Sequence, residues 1–251
     1  MQRKLLLATI LISLTFLTYG QQTSIRDAIY YFSLENGQLA GVGADTLATH
    51  IAASQFFLLG EEHDMAELSR FTAAVLPLLA KNGYHYFTLE IGPNSAEKLM
   101  SIYQHKESLH DFNTKYYRIV NDTPIPFFDG KEDETFLNQA LRLGFELWGI
   151  DQENYYAPHF IFDELYNRSA GSERLRQLHI EASGFVSSEF TKTESNKRHP
   201  IYTNLLNSEE IKTFFQALPN DSSSRKLIKN LIISWKIYEA AYNNNWYSRI
   251  G

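Results

Sequence analysis

The run Gly60-Glu61-Glu62-His63-Asp64 concentrates chemistry-bearing side chains more densely than any other stretch of the chain. A histidine among carboxylates is the pairing that activates water. The imidazole accepts a proton near neutral pH, and a carboxylate orients the ring and raises its basicity. The run follows Gln55-Phe56-Phe57-Leu58-Leu59, an almost wholly apolar segment of strand length, and precedes a helical pattern that starts near Met65. The positive end of a helix dipole disfavours an imidazolium, so His63 is expected as a neutral base or metal ligand. The plainer reading of such a histidine is a ring bonded to backbone at a helix start.

Two further acidic positions share the same setting. Glu90 closes the apolar run Tyr84–Leu89, and Asp151, with Glu153, closes Phe145–Ile150. In open parallel sheets ligands bind beyond the carboxyl ends of the strands. Three parallel strands would therefore bring Glu61, His63, Glu90 and Asp151 to one cleft, with His63 as the base and the carboxylates as its partners. A bound metal is the other chemistry these residues suit. One histidine with several carboxylates fits a hard or borderline divalent ion, with His63, Glu61 and Glu90 as candidate ligands. The chain has no H-E-x-x-H helix, no cysteine and no closely spaced histidine pair, so a zinc site has no strong signature. His159 follows Pro158 near the Asp151 end and is within chain distance of the same cleft. His85 reads as structural, and His50, His105, His110, His179 and His199 as surface residues. Arg70 reads as solvated rather than as an anion clamp. The absence of G-x-S-x-G, and of G-x-G-x-x-G after a strand, argues against the usual serine-hydrolase and dinucleotide sites.

These groups need elements to hold them. Leu68, Phe71, Val75 and Leu79 give one apolar face to a helix over about Met65–Lys81. Asp64 suits its N-cap, Glu67 follows three residues later, Pro77 is expected to kink it, and Asn82-Gly83 ends it. Residues 55–90 thus read as a βαβ unit with a right-handed crossover. A helix over Asn94–Gln104, a less regular aromatic stretch around Phe112, Tyr116 and Tyr117, and a loop over Asn121–Lys131 come next. A helix over Glu132–Leu143 then leads through Gly144 into the third strand. Upstream, Ser24–Leu34 and Leu47–Ala53 read as short helices. Downstream the pattern is helical over Pro158–Asn167, Glu173–Ala182, Ser208–Leu218 and Ser224–Tyr242, with the polar Ser183–Pro200 as loop. The expected fold class is α/β: a parallel sheet with flanking helices, followed by a mainly helical C-terminal half from about Pro158. A three-stranded parallel sheet is small, and this points to a domain whose full form is larger.

The chain has 251 residues, 44% of them hydrophobic, which suffices for one domain over residues 21–251 with a substantial core. An aromatic share of 14% favours large buried side chains or an aromatic-lined cleft. A net charge of −6 without any basic stripe argues against a nucleic-acid partner. The N-terminus carries Arg3 and Lys4, then the apolar Leu5–Leu17, then Tyr19-Gly20-Gln21-Gln22. This is the three-part pattern of a secretory signal, with cleavage expected after Gly20. A membrane anchor needs roughly 20 apolar residues, more than this stretch supplies, so no stable anchor is expected after cleavage. An exported chain with no cysteine points to a bacterial periplasmic or secreted protein.

The run Phe57-Leu58-Leu59-Gly60-Glu61-Glu62-His63-Asp64 resembles the first motif of the superfamily that contains erythromycin esterases, ChaN-type haem-binding proteins and Tiki proteases. Leu89-Glu90 is similar to the second acidic position of the esterases, and Trp148-Gly149-Ile150-Asp151 to their third strand end. The resemblance covers roughly residues 50–155. It implies His63 as general base for water, supported by Glu61 and Glu90. Esterases place two residues between the Glu and the His, whereas here only Glu62 intervenes, a spacing closer to ChaN and Tiki. No residue matches the later histidine of the esterases. The expected function is an exported hydrolase acting on a small-molecule ester or amide, with a haem-, iron- or metal-binding uptake protein as the alternative.

Overall fold

The computed structural model describes residues 29–60, 62, 65–169 and 171–243. Among them 64% are helical and 7% lie in strands, and the strands form only two sheets of two strands each. The expected α/β class is therefore corrected: the described chain is predominantly helical and has no three-stranded parallel sheet. The described residues fall into two compact units that divide between Leu58 and Leu59.

In the first unit, β1 (Ser33–Glu35) pairs antiparallel with β2 (Gln38–Ala40), with Leu34 opposite Leu39. Asn36 and Gly37 join them with φ of 52° and 77°. Two successive positive φ values match the right-handed twist of a hairpin, and Asn-Gly is the dipeptide that adopts them most readily. The expected helix over Ser24–Leu34 is not formed in its described part, because the turn pulls residues 33–35 into a ladder. Helix α1 (Val42–Ala52) follows and is tied back to the segment that leads into β1 by the Gly43 N–H, which donates to the Tyr31 carbonyl at 2.8 Å.

The run Gln55–Leu59 is not a strand. Phe56 is 79% exposed and Leu58 91%. An apolar run states that its side chains gain by burial, but a strand also needs a neighbouring edge to satisfy its backbone. No strand pairs with it among the described residues, so the expected βαβ unit over 55–90 is absent.

The second unit starts with α2 (Ala66–Lys81), one residue later than expected. Its N-cap position is Met65 rather than Asp64, with no side-chain cap, and it runs through Pro77. Val75, Leu76 and Leu79 are buried. Gly83 at φ 83° turns the chain into β3 (Tyr86–Leu89). Then come α3 (Pro93–His105), α4 (Leu109–Val120) and α5 (Lys131–Arg142), and β4 (Glu146–Gly149) returns parallel to β3. The aromatic stretch around Phe112 is helical, not irregular. Ser108 caps it by accepting the Asp111 N–H at 3.1 Å, and its buried face carries Leu109 and Tyr116.

The register of the parallel pair sets Phe87 against Leu147 and Leu89 against Gly149. Phe87 packs edge-on against Phe136 of α5 at 6.1 Å, so this face of the sheet is covered. The other face carries Tyr86 and Trp148, whose rings lie 4.5 Å apart and are exposed.

The rest is helical: α6 (Ala157–Asn167), α7 (Glu173–Ser195), α8 (Ile201–Asn207), α9 (Glu209–Ala217) and α10 (Ser222–Tyr242). Helix α7 runs 13 residues beyond Ala182, through most of the stretch expected as loop. Its extension holds Val186 and Glu189 buried among hydrophilic neighbours, a spacing too sparse to signal a helix by hydrophobicity alone. Helix α6 is the centre of this layer. Phe160, Ile161, Phe162 and Leu165 are each at most 1% exposed. A helix apolar on nearly all sides belongs inside. Phe162 meets Phe214 at 5.4 Å and Phe215 at 5.5 Å, both on α9. No described helix is long and apolar enough to cross a membrane.

Candidate functional site

Glu90 leaves β3 and Asp151 leaves β4. Because the two strands are parallel, both residues emerge at the same end, and the ladder continues past the strands. The Ile150 N–H donates to the Leu89 carbonyl at 3.1 Å and the Asp151 N–H to the Ile91 carbonyl at 3.1 Å. The two carboxylates line one cleft of about 360 Å³. Asp122 and Phe127, from the segment between α4 and α5, form another part of its lining. Gln152, Asn154 and Tyr155 follow Asp151, and Tyr238 is contributed by α10.

Glu90 and Asp122 are exposed, and Asp151 is half-buried. Tyr155 meets Tyr238 edge-on at 6.2 Å, and Tyr238 stacks on Tyr202 at 4.9 Å. Burial, followed by the neighbouring tyrosines, pushes the Tyr202 hydroxyl well above its usual range, so it stays protonated. The cleft therefore joins three carboxylates to an aromatic wall. Such a lining can accept protons, orient water and stack a planar or apolar group, and it repels anions.

Four residues were expected together here. Glu90 and Asp151 do line one cleft. Glu61 and His63, together with Asp64, lie outside the described residues. Glu62 is exposed. His159 does not line the cleft. It is 5% exposed on α6, its ring lies 6.4 Å from Phe190, and its Nε2 has no partner. Burial lowers its pKa to about 4, with Asp163 acting in the opposite sense, so the ring is neutral. Arg70 pairs with Glu132 of α5 at 3.0 Å across exposed surface. Among the described residues no group of three His, Asp or Glu side chains could hold a metal ion.

Glu153, expected at the strand end with Asp151, is 1% exposed and does not line the cleft. Its carboxylate accepts the Asn94 N–H at 2.6 Å, the Ser95 N–H at 3.2 Å and the Ser95 hydroxyl at 2.7 Å. Burial pushes its carboxyl up to about 7, against the pull of these donors from Ser95 and Asn94. A Cβ on Gly92 would run into this carboxylate, and one on Gly149 would run into the Gly92 backbone, so both close approaches require glycine.

Two histidines expected at the surface are partly buried and belong to acid clusters, one around the half-buried Asp163 and one around the buried Glu189. His179 Nε2 lies 3.0 Å from Asp163, which also accepts from Lys115 at 2.5 Å and Tyr116 at 2.7 Å. His199 Nε2 lies 2.6 Å from Glu189, which also accepts from Lys192 and Asn204 at 2.6 Å each. Apart from Lys192, which lies three residues from Glu189 on the same helix, nothing in the local sequence marks these partners, since they come from other helices or from beyond a helix end. The cleft residues Asp122 and Tyr238 were missed for the same reason.

Compared with known proteins, the chain matches no family model, no curated protein and no solved structure.

Proposed function

We propose that the chain is an exported hydrolase that uses activated water on an ester or amide of a small molecule. The observation that supports this best is the convergence of Glu90 and Asp151, from the ends of two parallel strands, on one cleft with an aromatic wall. In this reading the resemblance of residues 57–64 to the esterase superfamily contributes His63 as the base, with Glu61 as its orienting partner. Glu90 and Asp151 hold the water and the developing positive charge on the imidazole. The acidic lining favours neutral or amine-bearing substrates over anionic ones. Export rests on the N-terminal pattern at Arg3–Gly20, which lies outside the described residues.

The test is hydrolysis of short- and medium-chain p-nitrophenyl esters by the wild-type chain and by His63→Ala, Glu90→Gln and Asp151→Asn. Each substitution is expected to lower kcat/KM by at least tenfold, by the usual size of acid–base contributions. Equal rates in the wild type and His63→Ala would remove the base and with it this reading.

A further inference from the structure

The cleft rests on one residue that does not face it. Glu153 lies two positions beyond Asp151, in the segment that carries Asp151, Gln152, Asn154 and Tyr155. Its carboxylate grips the first turn of α3 through Asn94 and Ser95, immediately after the segment that carries Glu90. Its own N–H donates to the Ser234 hydroxyl of α10 at 2.8 Å. Tyr238 stands one turn further along that helix and lines the cleft. A second link runs beside the first: Asn94 donates to the Leu227 carbonyl at 3.0 Å and accepts from Asn230 at 2.8 Å, both on α10. Three segments that bear cleft residues therefore share one buried anchor.

We infer that Glu153 is the positioning residue of this cleft: by binding α3 through its carboxylate and α10 through its amide, it holds Glu90, Asp151 and Tyr238 at their mutual spacing. Its effect on turnover rests on the hydrolase reading; its effect on the geometry does not. A carboxylate suits the place because the first turn of a helix presents N–H groups without partners and the positive end of the dipole. Both oxygens are used, one toward Asn94 and one toward Ser95. Glutamine offers a single acceptor oxygen, and its amide nitrogen would face donors.

The donors around the carboxylate are neutral. From α3 the charged group that acts on it is Glu97, itself paired with Lys226 of α10. From α10 the groups against it are the neutral Ser234 and, through Asn94, Asn230. On its own segment the nearest carboxylate in sequence is Asp151. The bonds to Asn94 and Ser95 are charge-assisted when Glu153 is ionised, but burying that charge costs more than they return, so the anchor loosens as pH rises through about 7.

The experiment is hydrogen–deuterium exchange of the full chain, for wild type, Glu153→Gln, Glu153→Asp and Ser234→Ala at pH 6 and pH 8, after correction for intrinsic exchange. Peptides over 90–97, 150–156 and 234–242 report the three walls, and peptides over 173–195 report the remaining fold. Glu153→Gln is expected to speed exchange about tenfold in all three walls at pH 6 and to remove the loss of their protection between pH 6 and pH 8. Ser234→Ala is expected to loosen 150–156 and 234–242 while leaving 90–97 protected. Loosening of 90–97 alone in Glu153→Gln would make Glu153 a simple helix cap and overturn the inference. Should Glu153→Gln also expose 173–195, the shortened but charged Glu153→Asp decides by the same pattern. Ester hydrolysis measured on the same samples separates the two claims. Coupled walls without wild-type hydrolysis refute the hydrolase reading and leave the anchor. Hydrolysis with independent walls refutes the anchor and leaves the reading.

Discussion

Glu153, beneath the cleft, and Asp163, in the helical layer ten residues on, are both sheltered carboxylates that receive several hydrogen bonds. Their acidities move in opposite directions. Burial dominates at Glu153, whose donors are two backbone amides and a hydroxyl, and its carboxyl rises to about 7. Burial also opposes the charge of Asp163, but His179, Lys115 and Tyr116 outweigh it and hold that carboxyl well below the usual range. Glu189 behaves like Asp163: burial works against it, yet Lys192, Asn204 and His199 lower it. The two acids differ in their cationic partners and also in depth, since Glu153 is 1% exposed and the Asp163 side chain 23%. The helical layer uses its acids as cross-links between helices, whereas the cleft keeps an acid that can change its charge near neutral pH.

The sharpest way to break this comparison is to remove the acid from the cationic cluster. Asp163→Ala leaves Lys115, Tyr116 and His179 without their common acceptor and is expected to destabilise the fold by about 3 kcal/mol, measured by urea unfolding at pH 7. The same substitution should remove part of the acid-induced loss of stability. A carboxyl lowered in the folded state contributes stability above about pH 4 that disappears as pH falls further.

Glu153 has the opposite sign. Its folded-state value lies above its unfolded one, so the folded chain holds a proton that the unfolded chain releases. Its contribution is complete below about pH 4.5 and is lost as pH rises to about 7. Over that window the wild type is expected to lose up to about 3 kcal/mol from this one group, at ~1.4 kcal/mol per pH unit. Glu153→Gln should flatten that limb. Urea unfolding at pH 5 and pH 8 measures both slopes, and an unchanged slope in the variant would contradict the assignment of the limb to Glu153.

Smaller effects separate cross-link from rim. His199→Ala leaves Glu189 with Lys192 and Asn204, and an expected loss of about 1 to 2 kcal/mol at pH 7 in thermal or urea unfolding tests how far those two suffice. Glu90→Gln and Asp151→Asn lie at the cleft and should change stability by less than about 0.5 kcal/mol, while lowering any ester hydrolysis. A larger stability change in either would class the rim with the cross-links.

The periodic segments were legible because helix and strand spacing is local. Helices α2, α3, α5, α6, α9 and α10 lie within a few residues of the apolar patterns that announce them. The parallel strands at Tyr86–Leu89 and Glu146–Gly149, and the meeting of Glu90 with Asp151, were also readable from the acidic residues that close each run. The hairpin at Asn36-Gly37 is written in its turn dipeptide, a signal that outweighs the helical pattern of Ser24–Leu34. Gln55–Leu59 departs from the strand its apolar run predicts for a deeper reason. Hydrophobicity alone does not supply the neighbouring edge that a strand requires.

By itself, then, the order of residues determined most of the helices, the two strands that pair in parallel, and the end of the strands at which Glu90 and Asp151 stand. Only the tertiary structure decided the predominantly helical class, the third wall of the cleft at Tyr238, and the opposite acidities of Glu153 and Asp163. The physical reason is that periodicity and strand ends are set by near neighbours, whereas a carboxyl's charge depends on which donors arrive from elsewhere in the chain. Asp163 receives lysine and histidine from two other helices, and Glu153 receives amides and a hydroxyl from α3.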